Sequence, residues 1–391
     1  MPFAYELNSN TRGARSLDRE TTTQQRTAQG LLRLRSALAE QVPKRTINET
    51  LLLATWNIRD FDSAKYGYRS DEAMYYIAEI ISYFDLVAIQ EVNANLEALD
   101  RLVEILGSWW KYLITDVTTG RAGNQERAAF VYDTRKVKFG GLAGEIVIPD
   151  KKLKDKTLQP QRQLARSPFL CGFEAGYLRF SLCTVHIFYG GNVADDPTRL
   201  EEVRTLSEYL VKHVENDNSW ARNLVLLGDF NIFSTEDQTF KAMIDAGFYI
   251  PPQFAEMTSN AAEDKHFDQI AFVSRAYDED VVLARIAKSR AGVFNFYDHV
   301  YRLEDAEGYA DEIGPAYRTR STGQPRTTGQ KQKYYKDWRS HQMSDHFPMW
   351  IELQVDFGED YLREVAGNED GGSGADSEAG EEDPGFEHRV R

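Results

Sequence analysis

Five apolar stretches of this 391-residue chain carry, at one end, side chains that can do chemistry. Leu51-Leu-Leu-Ala-Thr-Trp-Asn57 finishes on an amide, Asp85-Leu-Val-Ala-Ile-Gln-Glu91 on a carboxylate, and Tyr177–His186 on an imidazole. Val225-Leu-Leu-Gly-Asp-Phe-Asn231 finishes on an acid and an amide, and Ser344-Asp345-His346 leads into the apolar run Pro348–Val355. Any one of these has an ordinary account as a turn residue bonding its own backbone. Their recurrence on separate stretches points to a site assembled from the loops at strand ends. Glu91, Asp345 and Asn57 make an all-oxygen donor set, which suits Mg²⁺ or Mn²⁺ and not zinc. His186 and His346 can move protons near neutral pH if a carboxylate fixes each tautomer, and Glu126 and Asp268 are the candidates. With Asp229 and Asn231 the inventory matches in-line attack on a phosphodiester, which needs charge neutralisation, an oriented water and a protonated leaving oxygen.

The elements that must position these groups are short and apolar. Leu51–Asn57, Asp85–Glu91, Ala128–Asp133, Tyr177–His186, Asn223–Asp229, Phe267–Val273 and Pro348–Val355 read as seven strands. Ser70 is placed to cap a helix burying Met74, Ile77, Ile81 and Phe84, and Asp196 before Pro197 to cap one burying Leu200, Val203, Leu206, Leu210 and Val214. Thr235 with Gln238 reads as a capping box for a third. Leu31, Leu34, Leu38 and Val42 recur at helical spacing and predict a helix over 29–41. Strands alternate with helices early and adjoin one another in the middle of the chain, which predicts an α/β fold of packed sheets covered by helices rather than a parallel Rossmann sheet. Glycine motifs that cradle phosphates are absent.

Composition divides the chain into a polar arm over 1–48, a catalytic domain over 49–357 and an acidic, disordered tail over 358–391. The net charge of -15 is unevenly held: Gly358–Arg391 carries eleven acids and three bases. By contrast Arg318–Arg339 has seven bases against Asp337 alone, interleaved with Tyr334, Tyr335 and Trp338, and Lys151–Arg166 has six against Asp155. Both segments read as basic loops able to contact phosphates and stack on bases. No stretch is apolar enough to span a membrane and the start lacks a secretory core, so the expectation is a cytoplasmic protein without a membrane partner, monomeric by default. Cys171 and Cys183 read as reduced, partly buried thiols.

The pieces ATWNIRDF, DLVAIQEV, GRAGNQERAAFVYD, RSPF, TVH, LLGDFN, FDQI and MSDHFPM resemble, in order and from Leu51 to Val355, those of the endonuclease/exonuclease/phosphatase superfamily, and within it the deoxyribonuclease I branch. The resemblance implies a four-layer α/β sandwich, two packed mixed sheets flanked by helices, with the site at one end. It implies a metal set of Glu91, Asn57 and Asp345, with Asp229 activating water and Asn231 holding a phosphoryl oxygen. His186 with Glu126 and His346 with Asp268 match that branch's two carboxylate–histidine pairs. Arg166 and Arg121 match substrate contacts, to which the basic segment adds Lys331, Lys333, Tyr334 and Tyr335. Three features depart from the branch: the secretory signal and disulfide cysteines are missing, Asn93 stands where arginine is favoured for groove contact, and 284–340 is longer than the core requires.

The expected activity is therefore Mg²⁺- or Mn²⁺-dependent hydrolysis of phosphodiester bonds in a nucleic acid, DNA before RNA. The alternatives are a phosphoesterase acting on a phospholipid or a small phosphoester, and a catalytically inactive binding protein on the same fold. The first is disfavoured by the lack of an exposed apolar hairpin and of a tryptophan-cysteine signature beside FDQI. The second is disfavoured because no ligand is missing.

Overall fold

Leu51, Leu52, Leu53 and Ala54 are apolar without alternation, the pattern of a strand covered on both faces. In the computed structural model, which describes residues 17–61, 69–117, 126–275, 285–286 and 288–366, all four are fully buried in β1 (Thr50–Phe61). β1 is central in a six-stranded sheet. Its parallel neighbour is β2 (Leu86–Val92), followed by β4 (Arg127–Asp133) and β3 (Trp110–Ile114); on its other side runs β13 (Met349–Gln354), antiparallel to it, and then β12 (Ala291–Val293), antiparallel to β13. The second sheet orders β11 (Asp268–Ser274), β10 (Asn223–Asp229), β9 (Leu178–His186), β8 (Phe169–Ala175) and β5 (Lys138–Glu145), with β9 and β10 parallel and the rest antiparallel.

The inner faces meet on Leu51, Leu53, Phe130, Phe173, Phe180, Leu182, Leu227 and Ile351. Helices α1 (Leu17–Gln41), α2 (Asp71–Ile81) and α3 (Glu97–Leu106) cover the first sheet, and α4 (Pro197–Glu215) and α5 (Gln238–Ala246) the second. Two mixed sheets flanked by helices make the four-layer α/β architecture expected from the motifs.

Local chemistry sets the boundaries. Ser70 Oγ accepts from the Ala73 amide and Asp196 Oδ1 from the Thr198 and Arg199 amides, as their positions predict. The Thr235 capping box does not form: α5 is preceded by Asp237, whose Oδ2 instead accepts from the Phe233 and Ser234 amides of the incoming turn. α1 runs over Leu17–Gln41, twelve residues longer at its start than the expected 29–41, and its Leu31, Leu34 and Leu38, with Val42 just past its end, share a buried cluster with Tyr76 and Ile77 of α2. The contact is close at Gly30, where a Cβ would lie 2.1 Å from Tyr76 Oη.

The segment 318–339 is not a loop. Short helices α6 (Ala310–Ile313) and α7 (Pro315–Arg318) lead into it, and most of its second half belongs to α8 (Thr328–Gln342), capped by Thr327 and Gln330 in a reciprocal box. Lys151–Arg166 likewise contains a small hairpin, β6 (Lys151–Lys152) with β7 (Leu158–Gln159). Residues 357–391 form a separate unit in which α9 (Gly358–Val365) is described; the acidic stretch after 366 lies outside the described residues. No helix among the described residues is long and apolar enough to cross a membrane.

Arg45 joins Asp85, before β2, to Asp133, at the end of β4, at 2.6 and 2.7 Å, and Arg135 also pairs with Asp133. Burial alone would raise the Asp133 pKa, but bonds from Arg135 and Arg45 lower it from 3.8 to about 2. Because the folded value lies below the unfolded one, its stabilisation is complete above the unfolded pKa and vanishes as pH falls through the folded one. Asp133→Asn should therefore cost about 2 kcal/mol at pH 6. The gap between parent and variant in urea melts should narrow steadily below about pH 4 and be mostly gone by about pH 2; a gap independent of pH would contradict this.

Candidate active site

Sequence-distant strand ends meet around Asp229. Its place is fixed by Gly228, which takes φ 134° and passes so close to β9 that a Cβ would stand 2.2 Å from Val185 O. Glycine is required there, so β10 can bring Asp229 beside His186, its register partner. Asn57 Nδ2 crosses from the first sheet to donate to Asp229 Oδ2 and to Glu91 Oε1, each at 2.9 Å. The histidine Nε2 atoms close on the same carboxylate oxygen, His186 at 3.5 Å and His346 at 3.8 Å. His186 Nε2 also stands 3.9 Å from Glu91 Oε1. A second cross-sheet tie, Gln90 Nε2 to Thr184 Oγ1 at 2.7 Å, holds β2 against β9 behind the site.

Each histidine is backed by an acid. His346 Nδ1 lies 2.7 Å from Asp268 Oδ2, and His186 Nδ1 3.0 Å from Glu126 Oε2. Burial works to lower both imidazole pKa values, yet the charges of Asp268 and Asp229 hold His346 well above its ordinary value. For His186, burial and Arg166 are outweighed by Glu126 and Asp229, and its pKa is raised as well. Glu126 is itself held down at about 2: burial opposes, and His186 and Arg166 prevail.

Backbone strain gathers at the same place. Six described non-glycine residues have positive φ, and three of them, Asp60 (45°), Glu91 (61°) and Asn231 (55°), belong here. Such conformations cost stability and persist where surrounding bonds enforce them. Glu91 Oε2 accepts from the Asp60 amide at 2.8 Å, and Asp229 Oδ1 from the Asn231 amide at 2.9 Å.

The oxygen donors expected from the sequence to hold a divalent cation lie on the first-sheet side. Both hydrogens of the Asn57 amide group point at carboxylates, so its orientation is fixed, and its Oδ1 is buried without a hydrogen-bond partner. A buried acceptor left beside the Glu91 carboxylate fits a hard cation. Asp345 stands at the rim, its side chain 46% exposed and 3.6 Å from Arg59 Nε. Asp229, Asp268 and His346 form a tighter buried group. There Asp268 is occupied by His346 Nδ1 and by Ser259 Oγ at 2.7 Å, which marks a proton-holding chain.

Several expected residues are placed differently. Asn231 does not share a face with Asp229 by strand alternation: β10 ends at Asp229, Asn231 is left-handed, and its Nδ2 donates to Ile187 O at 2.8 Å. Arg166, expected on a phosphate, directs Nε to Glu126 Oε2 at 2.6 Å and has a side chain 12% exposed. Tyr335 is fully buried among Tyr309, Trp338 and Arg339, so its ring offers no stacking face to a substrate. Lys331 pairs with Glu307 at 3.0 Å, and Tyr334 lies under the Arg326 guanidinium; Lys333 is exposed on α8. Arg121 lies outside the described residues.

Ser259 was not legible as part of this arrangement. Its Oγ bonds Asp268 Oδ2 and accepts from the Asp268 amide, and its carbonyl accepts from the Phe347 amide. The surrounding TSNAAED has only the composition of a loop.

No family model matches the chain. A protein of Thioalkalivibrio sp. (strain K90mix) named "Deoxyribonuclease" is 32% identical over 188 residues, which are 46% of this chain and 46% of that one, so the match spans less than half of its length. Among solved structures, an endonuclease/exonuclease/phosphatase family protein from Bacteroides thetaiotaomicron is 18% identical, with a TM-score of 0.48 over 80% of this chain and 97% of its own. A mannosyl-6-phosphatase of the same organism is 17% identical, TM-score 0.46, over 78% and 99%. The human Nocturnin catalytic domain is 11% identical, TM-score 0.44, over 78% and 93%. The chain is thus similar in sequence to a protein named a deoxyribonuclease, and the solved structures it is similar to include endonuclease/exonuclease/phosphatase family proteins.

Proposed function

We propose that this chain is an endonuclease/exonuclease/phosphatase enzyme of the deoxyribonuclease I branch that hydrolyses phosphodiester bonds in DNA with the aid of Mg²⁺ or Mn²⁺. The observation that carries the reading is the convergence on one oxygen, Asp229 Oδ2, of Asn57 at 2.9 Å, His186 at 3.5 Å and His346 at 3.8 Å. A carboxylate so placed is poised to orient a water and take its proton. His346, kept protonated by Asp268 and Asp229, is the proton donor toward the departing oxygen. His186, held by Glu126, binds a non-bridging oxygen. One hydrogen of the Asn231 amide is engaged by Ile187 O, and the other serves the phosphoryl group. A divalent ion bound by the Glu91 carboxylate and Asn57 Oδ1, with Asp345 at the rim, would supply charge neutralisation for the phosphoryl oxygens.

Purified protein should nick plasmid DNA in Mg²⁺ and cease to do so in excess chelator. Single-stranded DNA, RNA and bis-p-nitrophenyl phosphate are the comparison substrates. Cleavage of the small diester with no polynucleotide turnover would replace this reading by that of a small-phosphoester hydrolase. Inertness toward all four, with nucleic acid retained in a binding assay, would overturn the nuclease reading in favour of the inactive binding protein.

A further inference from the structure

The segment between β12 and β13 reaches the reaction centre through one buried phenol. Tyr297 follows Phe296 in a short 3-10 turn capped by Asn295, and its Oη donates to Ser344 O at 2.7 Å. The ring cannot swing away: the Arg339 guanidinium of α8 lies 3.8 Å from its centroid, and Phe296 and Phe347 pack edge-on at 4.6 and 5.9 Å. Arg339 is anchored in turn by Nη1 donating to Tyr301 O at 2.8 Å.

Ser344 is where the two halves of the site are tied together. Its Oγ donates to Asn57 O at 2.6 Å and accepts from the His346 amide at 3.0 Å and the Arg59 amide at 3.2 Å. Trp56 Nε1 donates to His346 O at 2.9 Å, closing the same clasp from β1. Ser344 is fully buried and His346 nearly so, so a carbonyl that lost its donor would turn toward another partner and carry the turn with it.

We propose that Tyr297 is a positioning residue for the hydrolytic reaction: through the Ser344 carbonyl it fixes the turn that sets His346 relative to Asn57 and Asp229. The long insertion is thereby coupled to bond breaking through Arg339 and Tyr297, without itself touching the substrate. The kinetic half of this proposal rests on the nuclease reading; the structural half does not.

Tyr297→Phe keeps the ring and removes one hydroxyl. On plasmid DNA, kcat should fall about tenfold to a hundredfold, the range expected for a misplacement of catalytic groups by a fraction of an ångström to one ångström. KM should be unchanged, and the melting temperature should fall by no more than a few degrees, the cost of one lost buried hydrogen bond. In the His346→Asn background the same substitution should cause no further loss, because it acts through the imidazole. Independently of activity, hydrogen exchange should quicken at the Ser344–Phe347 amides and not in β2 or β10. Unaltered exchange in that turn overturns the proposal, as does a kcat loss of equal size in both backgrounds. A parent that cleaves no phosphodiester overturns the nuclease reading instead, and the exchange result then decides the positioning role alone.

Discussion

Asp229→Asn is expected to lower plasmid cleavage by about 10²–10⁴-fold, the range for loss of a positioned general base. The substitution is nearly isosteric. It keeps an oxygen for the Asn231 amide, but it replaces the carboxylate that faces Asn57, His186 and His346. It also removes one of the charges that raise both imidazole pKa values. Asp229 is almost fully buried, and an asparagine there has one oxygen for the Asn57 and Asn231 donors, so one lost bond is set against relief of its like-charge contact with Asp268 and the melting temperature should change by no more than a few degrees. Turnover within a few-fold of the parent, with normal melting, would remove Asp229 from its assigned role.

Glu91→Gln should be as damaging through a different route. Glu91 accepts from Asn57 Nδ2 at Oε1 and from the Asp60 amide at Oε2. A glutamine has one oxygen for these two donors, so one bond is lost, at a folding cost of about 1 kcal/mol. The larger consequence is loss of the negative oxygen next to the unpartnered Asn57 Oδ1. Mn²⁺ affinity, read by titration calorimetry, should fall by about a hundredfold or more, since even indirect partners of metal ligands are worth ~10–100-fold. Activity should fall with it and recover in part at raised Mn²⁺ concentration. Unchanged affinity would detach Glu91 from the cation.

Most of the site's side chains could be read from the sequence because each follows or precedes a strand whose apolar run is unmistakable. The bulge-free register of β9 with β10 then dictates that His186 and Asp229 meet. Asn231 shows the limit of that reasoning. Period-two alternation places it beside Asp229 only if the strand continues, and the left-handed turn at φ 55° was not visible in DFN. Ser259 was beyond reach, since a single hydroxyl in a polar loop carries no pattern.

Helix α8 was misread for a physical reason. Lysines and tyrosines interleaved without aliphatic residues imitate a binding loop, whereas here Tyr335, Arg339 and Gln342 are the buried face, lined by aromatic rings and guanidinium planes. The Thr327–Gln330 capping box was the local signal that marks its start.

Diffraction from crystals grown with Mn²⁺, with an anomalous map at the manganese edge, tests the central claim most directly. The account predicts one strong peak roughly 2 Å from both a Glu91 carboxylate oxygen and Asn57 Oδ1. A peak elsewhere, with Asn57 and Glu91 still bonded only to each other and to Asp229 and Asp60, would contradict it.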